Sequence, residues 1–284
     1  MSVCLAYDGS INGDWVARHA VRLAAGDTSK RLRVVHVETA EVAAATLAGK
    51  LDNIRLIAER AGVGIEFEIC PMRDGVVGGL VEFLGSDPDI LVVTGVHAQG
   101  GRRGFLAGTV SARLLADTSF DVIAYRVVQP GNLGVVRRLL LPLAGHGAGH
   151  KAAGRLVQMM AHDLRAARLL HVVELPTRRL RKLTAPDASA LSHRGQDFLH
   201  EVEETIAGVT QVGEVDLDLA VRISDDWSRD VIIDAVQQKT DLIALEASRD
   251  VLDQGFRYGD PFETLLRDTP CDVAIYRSGA NHGG

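Results

Sequence analysis

Two kinds of apolar pattern alternate along this chain. Short strand-like runs occur as "VCLAY" at 3–7, "LRVVHV" at 32–37, "IEFEI" at 65–69, "DILVV" at 89–93 and "FDVIAYR" at 120–126. Between them lie longer stretches with helical spacing. In the first, Val16, Ala20 and Leu23 share one face. An Ala-rich stretch over about 41–62 stops at Gly62, and "GVVGGLVEFLG" supplies a third helical run. Strands buried on both faces lose the apolar–polar alternation of a half-exposed sheet. Five such strands joined by four helical crossovers predict an α/β fold with a parallel sheet covered on both faces.

The pattern then repeats. "LLHVVE" at 169–174 answers "VVHVE" at 34–38, "DLIALEAS" at 241–248 answers "DILVVTGV" at 89–96, and "CDVAIYR" at 271–277 answers "DVIAYR". The spacing from His36 to His171 is 135 residues, whereas that from Asp89 to Asp241 is 152. The second copy therefore carries about 17 extra residues, expected within 176–195. "QPGNLG", with Pro, Asn and two glycines, marks a linker over 129–135. The expected domains are 1–128 and 136–284, and the tail "SGANHGG" is expected to be disordered.

Composition narrows the function classes. With 46% hydrophobic and 24% charged residues the chain can build a core. Net charge is −6, shared as −2 before Pro130 and −4 after it, so neither half has the basic face that nucleic acid requires. Three cysteines without a CxxC spacing argue against a disulfide framework or zinc site and fit a reducing compartment. "MSVCLAYDGS" reads as a first strand rather than a signal peptide, and no apolar run approaches a membrane span. The cytoplasm is the expected location.

Candidate chemistry concentrates in "TGVHAQGGRRGFLAGTVSARLL", Thr94–Leu115. An apolar strand leads into a glycine-bearing loop, and a helix opens on Gly108-Thr109. Ligands of open parallel sheets sit beyond the carboxyl ends of strands, where strand order reverses. A loop there offers backbone N–H groups and a helix N-terminus to an anion. Glycine permits positive φ and close approach, and Thr109 can cap the helix and also donate its hydroxyl. Asp8, at the end of the first strand, can accept from a ribose hydroxyl or an adenine amine, and Val37, ending the second strand, can face a base. The P-loop pattern and GxGxxG are both absent.

With these residues in view, the chain resembles the universal stress protein family in its tandem, two-domain form. That family carries an Asp after the first strand and G-x2-G-x9-G-[ST] after the fourth. Asp8, Gly95, Gly108 and Thr109 match, and Val37 falls where adenine is usually contacted. The resemblance implies two doubly wound domains, each a five-stranded parallel sheet of order 3-2-1-4-5 with helices on both faces. It implies ATP, AMP or ADP, with or without Mg²⁺, held by Asp8, Val37, Thr94, Gly95, Ala98, Gly108, Thr109 and Val110. It also implies a stress-response regulator rather than an enzyme, with intramolecular pairing of the domains and scope for a homodimer. The alternatives are a slow ATPase or other ATP-using enzyme, and a scaffold that has lost nucleotide binding. One departure is Ala98 at the second signature glycine. If that position needs positive φ, Ala costs roughly 1 kcal/mol or more. Arg102 and Arg103 in the same loop are either phosphate contacts or solvated side chains.

The second copy departs further. Its counterparts of Asp8, Gly95, Ala98 and Thr109 are Ala144, Ala247, Arg249 and Asp260, with Gly259 in place of Gly108. A carboxylate where phosphate should lie is repulsive, so the second site is expected to be lost and one nucleotide per chain is expected. "GHGAGHKAAG" at 145–154 has a dinucleotide-fold layout, but its third glycine falls on His150, and it reads as a degenerate first turn. His146 and His150 share a helical spacing without a third metal ligand. His36 and His171 repeat at one strand position and read as structural. Ser111 reads as a first-turn residue, "HEVEE" as a solvated helix face, and Asp225-Asp226 as a helix start. "TRRLRK" at 177–182, the one basic cluster, is expected as a flexible solvated loop.

Overall fold

The computed structural model describes residues 2–38, 43–85, 89–96, 105–106, 109–143, 150–209, 215–247 and 261–279. Within these, the first copy runs β1 (Ser2–Ala6), α1 (Ile11–Gly26), β2 (Arg31–Val37), α2 (Ala44–Arg60), β3 (Gly64–Cys70), α3 (Gly75–Leu84), β4 (Ile90–Gly95), α4 (Val110–Asp117) and β5 (Asp121–Arg126). Its strands are ordered β3-β2-β1-β4-β5. Each described pairing is parallel, with Leu5 beside Val34 and Val93. The core is the run of strand residues from Val3 to Leu5, Leu91 to Val93 and Val122 to Tyr125, all at 1% exposure or less.

Local chemistry sets the boundaries. Ser10 caps α1 by accepting from the Gly13 N–H at 2.9 Å. α2 ends at Gly62, with φ +69, where the Gly62 N–H reaches the Glu59 carbonyl and the Val63 N–H reaches that of Ala58. That pair of bonds is the Schellman arrangement, which explains why the helical stretch stops there. Gly78 and Gly79 let α3 lie on the preceding turn: a Cβ at Gly78 would stand 2.3 Å from the Arg73 carbonyl, and one at Gly79 2.9 Å from that of Pro71.

The second copy runs β6 (Arg138–Leu143), α5 (His150–Met160), β7 (Ala166–Glu174), α6 (Thr177–Leu180), α7 (Ala185–Val209), β8 (Asp216–Ser224), α8 (Trp227–Gln238), β9 (Leu242–Glu246), α9 (Pro261–Asp268) and β10 (Asp272–Arg277). Its order is β10-β9-β6-β7-β8. Counted within the copy and read from its third strand, this is again 3-2-1-4-5. Asp226 caps α8 by accepting from the Arg229 N–H at 3.0 Å, as its position before an apolar helix predicts.

The extra residues of this copy form α6 and the start of α7, which has 25 residues against 17 in α2. The expectation of a flexible loop over 177–182 is corrected. Thr177–Leu180 is a short helix, and the Thr177 hydroxyl donates to Asp225 at 2.7 Å. Its arginines are exposed, as solvation of the cluster requires.

The described residues form two compact units. One holds the chain to Val135 together with Ala247 and Ile275–Gly279; the other holds Val136–Glu246 and 261–274. The linker is not slack. Pro130–Asn132 makes a 3-10 turn, and Gly134, at φ +79, lies so close to α1 that a Cβ would stand 2.7 Å from the Arg18 carbonyl carbon. Asp121, fully buried, accepts from the Tyr276 hydroxyl at 2.8 Å and the Gly279 N–H at 2.7 Å.

Candidate functional site

Strand order reverses in the first copy between β1 and β4, and the chain leaves both strands on the same side of the sheet. β1 is followed by Tyr7-Asp8-Gly9-Ser10, with Gly9 at φ +74 turning the chain into α1. Asp8 is exposed. Its Oδ1 accepts from the Ser10 N–H at 2.9 Å, and among the described residues no bond engages Oδ2. Gly13 makes room for this arrangement, since a Cβ there would lie 2.4 Å from Asp8 Oδ1. The carboxylate therefore sits over the first turn of α1, where the helix dipole favours negative charge. One oxygen stays free to accept from a ligand.

β4 delivers Thr94, 5% exposed, and Gly95. Gly95 is glycine because α1 leans on it. A Cβ would stand 2.6 Å from Asn12 Nδ2 and 3.2 Å from Val16 Cγ2. Close approach rather than a left-handed φ is what fixes this position. The Gly95 carbonyl accepts from the Ser111 hydroxyl at 2.5 Å, which ties the end of β4 to the start of α4. Ser111 is thus the first-turn residue its sequence position suggests. Thr109 caps α4, accepting from the Ala112 N–H at 3.2 Å. Its own hydroxyl donates to the Leu106 carbonyl at 2.8 Å, so the proton expected to face a ligand is already engaged. Val110 opens the helix behind it.

Val37 ends β2, on the other side of β1. It is 5% exposed, and its Cγ1 would lie 3.5 Å from a Cβ on Gly79 of α3. Asp8, Val37, Thr94, Gly95, Thr109 and Val110 are thus gathered around the ends of β1, β2 and β4. Ala98, Gly108, Arg102 and Arg103 fall outside the described residues, as do His146, Ala144, Arg249, Gly259 and Asp260.

Sequence reasoning passed over several residues at this point. The Tyr7 hydroxyl donates to Asp14, whose second oxygen pairs with Lys50 of α2 at 2.5 Å. Burial, reinforced by Asp14, drives the Tyr7 phenol upward, so it stays neutral. The signal was present in "YDGSINGD", where polar residues crowd a strand-to-helix turn. His36 Nδ1 lies 2.8 Å from the Tyr7 carbonyl, and His171 Nδ1 lies 3.2 Å from that of Leu143. The repeated histidines thus brace repeated strand ends. In the second copy the residue 152 positions after Thr94 is Glu246, whose carboxyl group burial raises to about 7.

No protein-family model matches the chain, and no curated protein matches it in sequence. Solved structures do. A universal stress protein from Archaeoglobus fulgidus aligns over 99% of this chain and 97% of its own, at 16% identity and a TM-score of 0.58. A putative universal stress protein from Pseudomonas aeruginosa aligns over 97% and 92%, at 10% identity and 0.56. The chain has the tandem universal stress protein fold. The cytoplasmic domain of a prokaryotic cation chloride cotransporter is similar over 98% of this chain and 95% of that one, at 12% identity and 0.58. The tandem fold therefore serves more than one kind of protein, and function has to be argued from the site. Among the described residues, no helix is long and apolar enough to cross a membrane. No cluster of three potential metal ligands is gathered among them either.

Proposed function

We propose that this chain is a nucleotide-binding regulatory protein of the universal stress type. The first domain takes one adenine nucleotide, ATP or AMP/ADP, and the second serves as a structural partner in the same chain, in the cytoplasm. The observation that carries the reading is Asp8. Its carboxylate is fixed by the Ser10 N–H through one oxygen and leaves the other open at the strand-order reversal. That is what recognition of a ribose hydroxyl or adenine amine needs. Gly95 and the start of α4 lie beside it, where phosphate would meet backbone N–H groups. Thr94, Val37, Ala98, Gly108, Thr109 and Val110 complete the set, and Mg²⁺ would neutralise phosphate charge. The regulatory reading is favoured over turnover because, among the described residues, Tyr7, Asp14 and Lys50 are bonded to one another rather than free to serve as a general base.

The test is to denature purified protein, identify released nucleotide by mass spectrometry, and titrate ATP into stripped protein by calorimetry. Close to one adenine nucleotide per chain is expected, with binding lost in Asp8→Ala. No nucleotide and no heat would leave a scaffold. Two per chain would mean that the second site is alive. Steady hydrolysis abolished by Asp8→Ala would instead make the chain an ATPase.

A further inference from the structure

Asn12 is the second residue of α1, and its side chain lies on the end of β4. Its Nδ2 is buried, within 2.6 Å of where a Gly95 Cβ would be, and has no hydrogen-bond partner among the described residues. A buried donor without an acceptor loses the free energy of its hydration, so native proteins keep few of them. The surrounding chain does not repair the loss. The Gly95 carbonyl accepts from Ser111, and the Thr109 hydroxyl is committed to Leu106 and Ala112. Asp8 Oδ1 is committed to Ser10. A leucine, isosteric with asparagine, would fill the same space without the unmet donor. The amide is thus an unmet donor at the strand-order reversal.

We propose that Asn12 is a binding residue of the nucleotide site, donating from Nδ2 to a phosphate oxygen of the bound nucleotide. This rests on the nucleotide reading given above. The direction follows from placement. In the nucleotide reading Asp8, just past β1, takes the nucleoside, whereas Asn12 lies against Gly95 at the end of β4, where the phosphates are read. An amide NH2 offers two donors and no charge, so it serves an anionic oxygen without an ion pair. It also stands in the first turn of α1, where the dipole favours an anion. Gly95 then has a second purpose: with no Cβ it lets the amide reach the strand end at all.

The experiment is calorimetric titration of ATP and of adenosine into stripped wild-type protein, Asn12→Leu and Asn12→Ala, with the melting temperature of each free protein. The expected result is an ATP Kd raised about ten-fold in both variants, as for loss of one hydrogen bond to a charged acceptor. Adenosine affinity should be unchanged, and the free Asn12→Leu protein should melt no lower than wild type. Asn12→Asp, with the same shape and a repelling charge, should lose ATP further while keeping adenosine. Equal ATP affinity in wild type and variants overturns the role of Asn12 and leaves the nucleotide reading standing. Equal weakening of ATP and adenosine also overturns it, since Asn12 would then shape the site rather than meet phosphate. A wild type that binds neither ligand overturns both.

Discussion

At the scale of single residues, the site is a set of short polar side chains made specific by what stands next to them. Asp8 is legible in the sequence as a carboxylate ending a strand, but its division of labour between two oxygens is not. That division depends on Gly13, five residues along the chain and silent in any motif. Gly95 was legible as a signature glycine for the wrong reason. Of the two reasons sequence reasoning offers for such glycines, positive φ and close approach by a ligand, neither is the one seen here: the approach is made by Asn12 and Val16. The consequence can be measured. Gly95→Ala should destabilise the protein by about 1–3 kcal/mol, the usual cost of overpacking. Asn12→Ala should give back much of that loss, because it removes the nearer of the two clashing groups. A double-mutant cycle in urea should therefore show coupling of roughly 1 kcal/mol between positions 12 and 95. Additive effects would mean that the strain lies elsewhere.

At the scale of elements, the strands and helices of the first copy could be placed from apolar periodicity, because its central strands β1, β4 and β5 are buried apolar runs. In the second copy β8 and α9 were not read, and other features escaped because their cause is not periodicity. α6 has four residues and an exposed basic surface, and a hydroxyl bond from Thr177 to Asp225, 48 residues on, helps to hold it. No local pattern announces such a contact. The linker was legible as Pro- and Gly-rich, but its packing on α1 at Gly134 was not. The start of β5 is a third case. Asp121 looks like an ordinary strand-flanking carboxylate, yet it is fully buried and accepts from Tyr276 and Gly279. Arg277 adds bonds to the Thr118 carbonyl at 2.5 Å and the Phe120 carbonyl at 3.0 Å. Asp121→Ala would strand a buried hydroxyl and a buried N–H. It should cost about 3 kcal/mol, seen as an earlier urea midpoint, with faster hydrogen exchange at Gly279. Tyr276→Phe, which removes one bond and keeps the ring, should cost about 1 kcal/mol.

At the scale of the molecule, two copies of one fold have diverged at the same topological place. The first keeps an exposed Asp8 and a buried neutral Thr94 at its strand-order reversal. The second carries Glu246 at the position of Thr94, ending β9. The duplication was plain from the repeated strands. That Glu246 would be buried enough to change its acidity was not, because burial is set by neighbours from distant parts of the chain. Desolvation raises its carboxyl group from 4.5 to about 7. The folded state therefore holds this proton more tightly than the unfolded state does. The associated stability is full below about pH 4.5 and is lost as pH rises through about 7. By the size of that shift the loss is at most about 3 kcal/mol. Glu246→Gln keeps the shape and removes the titration. Its melting temperature should exceed that of wild type at pH 8, and the two should converge at pH 5. A wild type whose stability in this window matches that of Glu246→Gln at both pH values would show that Glu246 titrates as an ordinary surface carboxylate. Nucleotide affinity of the first domain should be the same in the two proteins, because the change lies at the reversal point of the other copy.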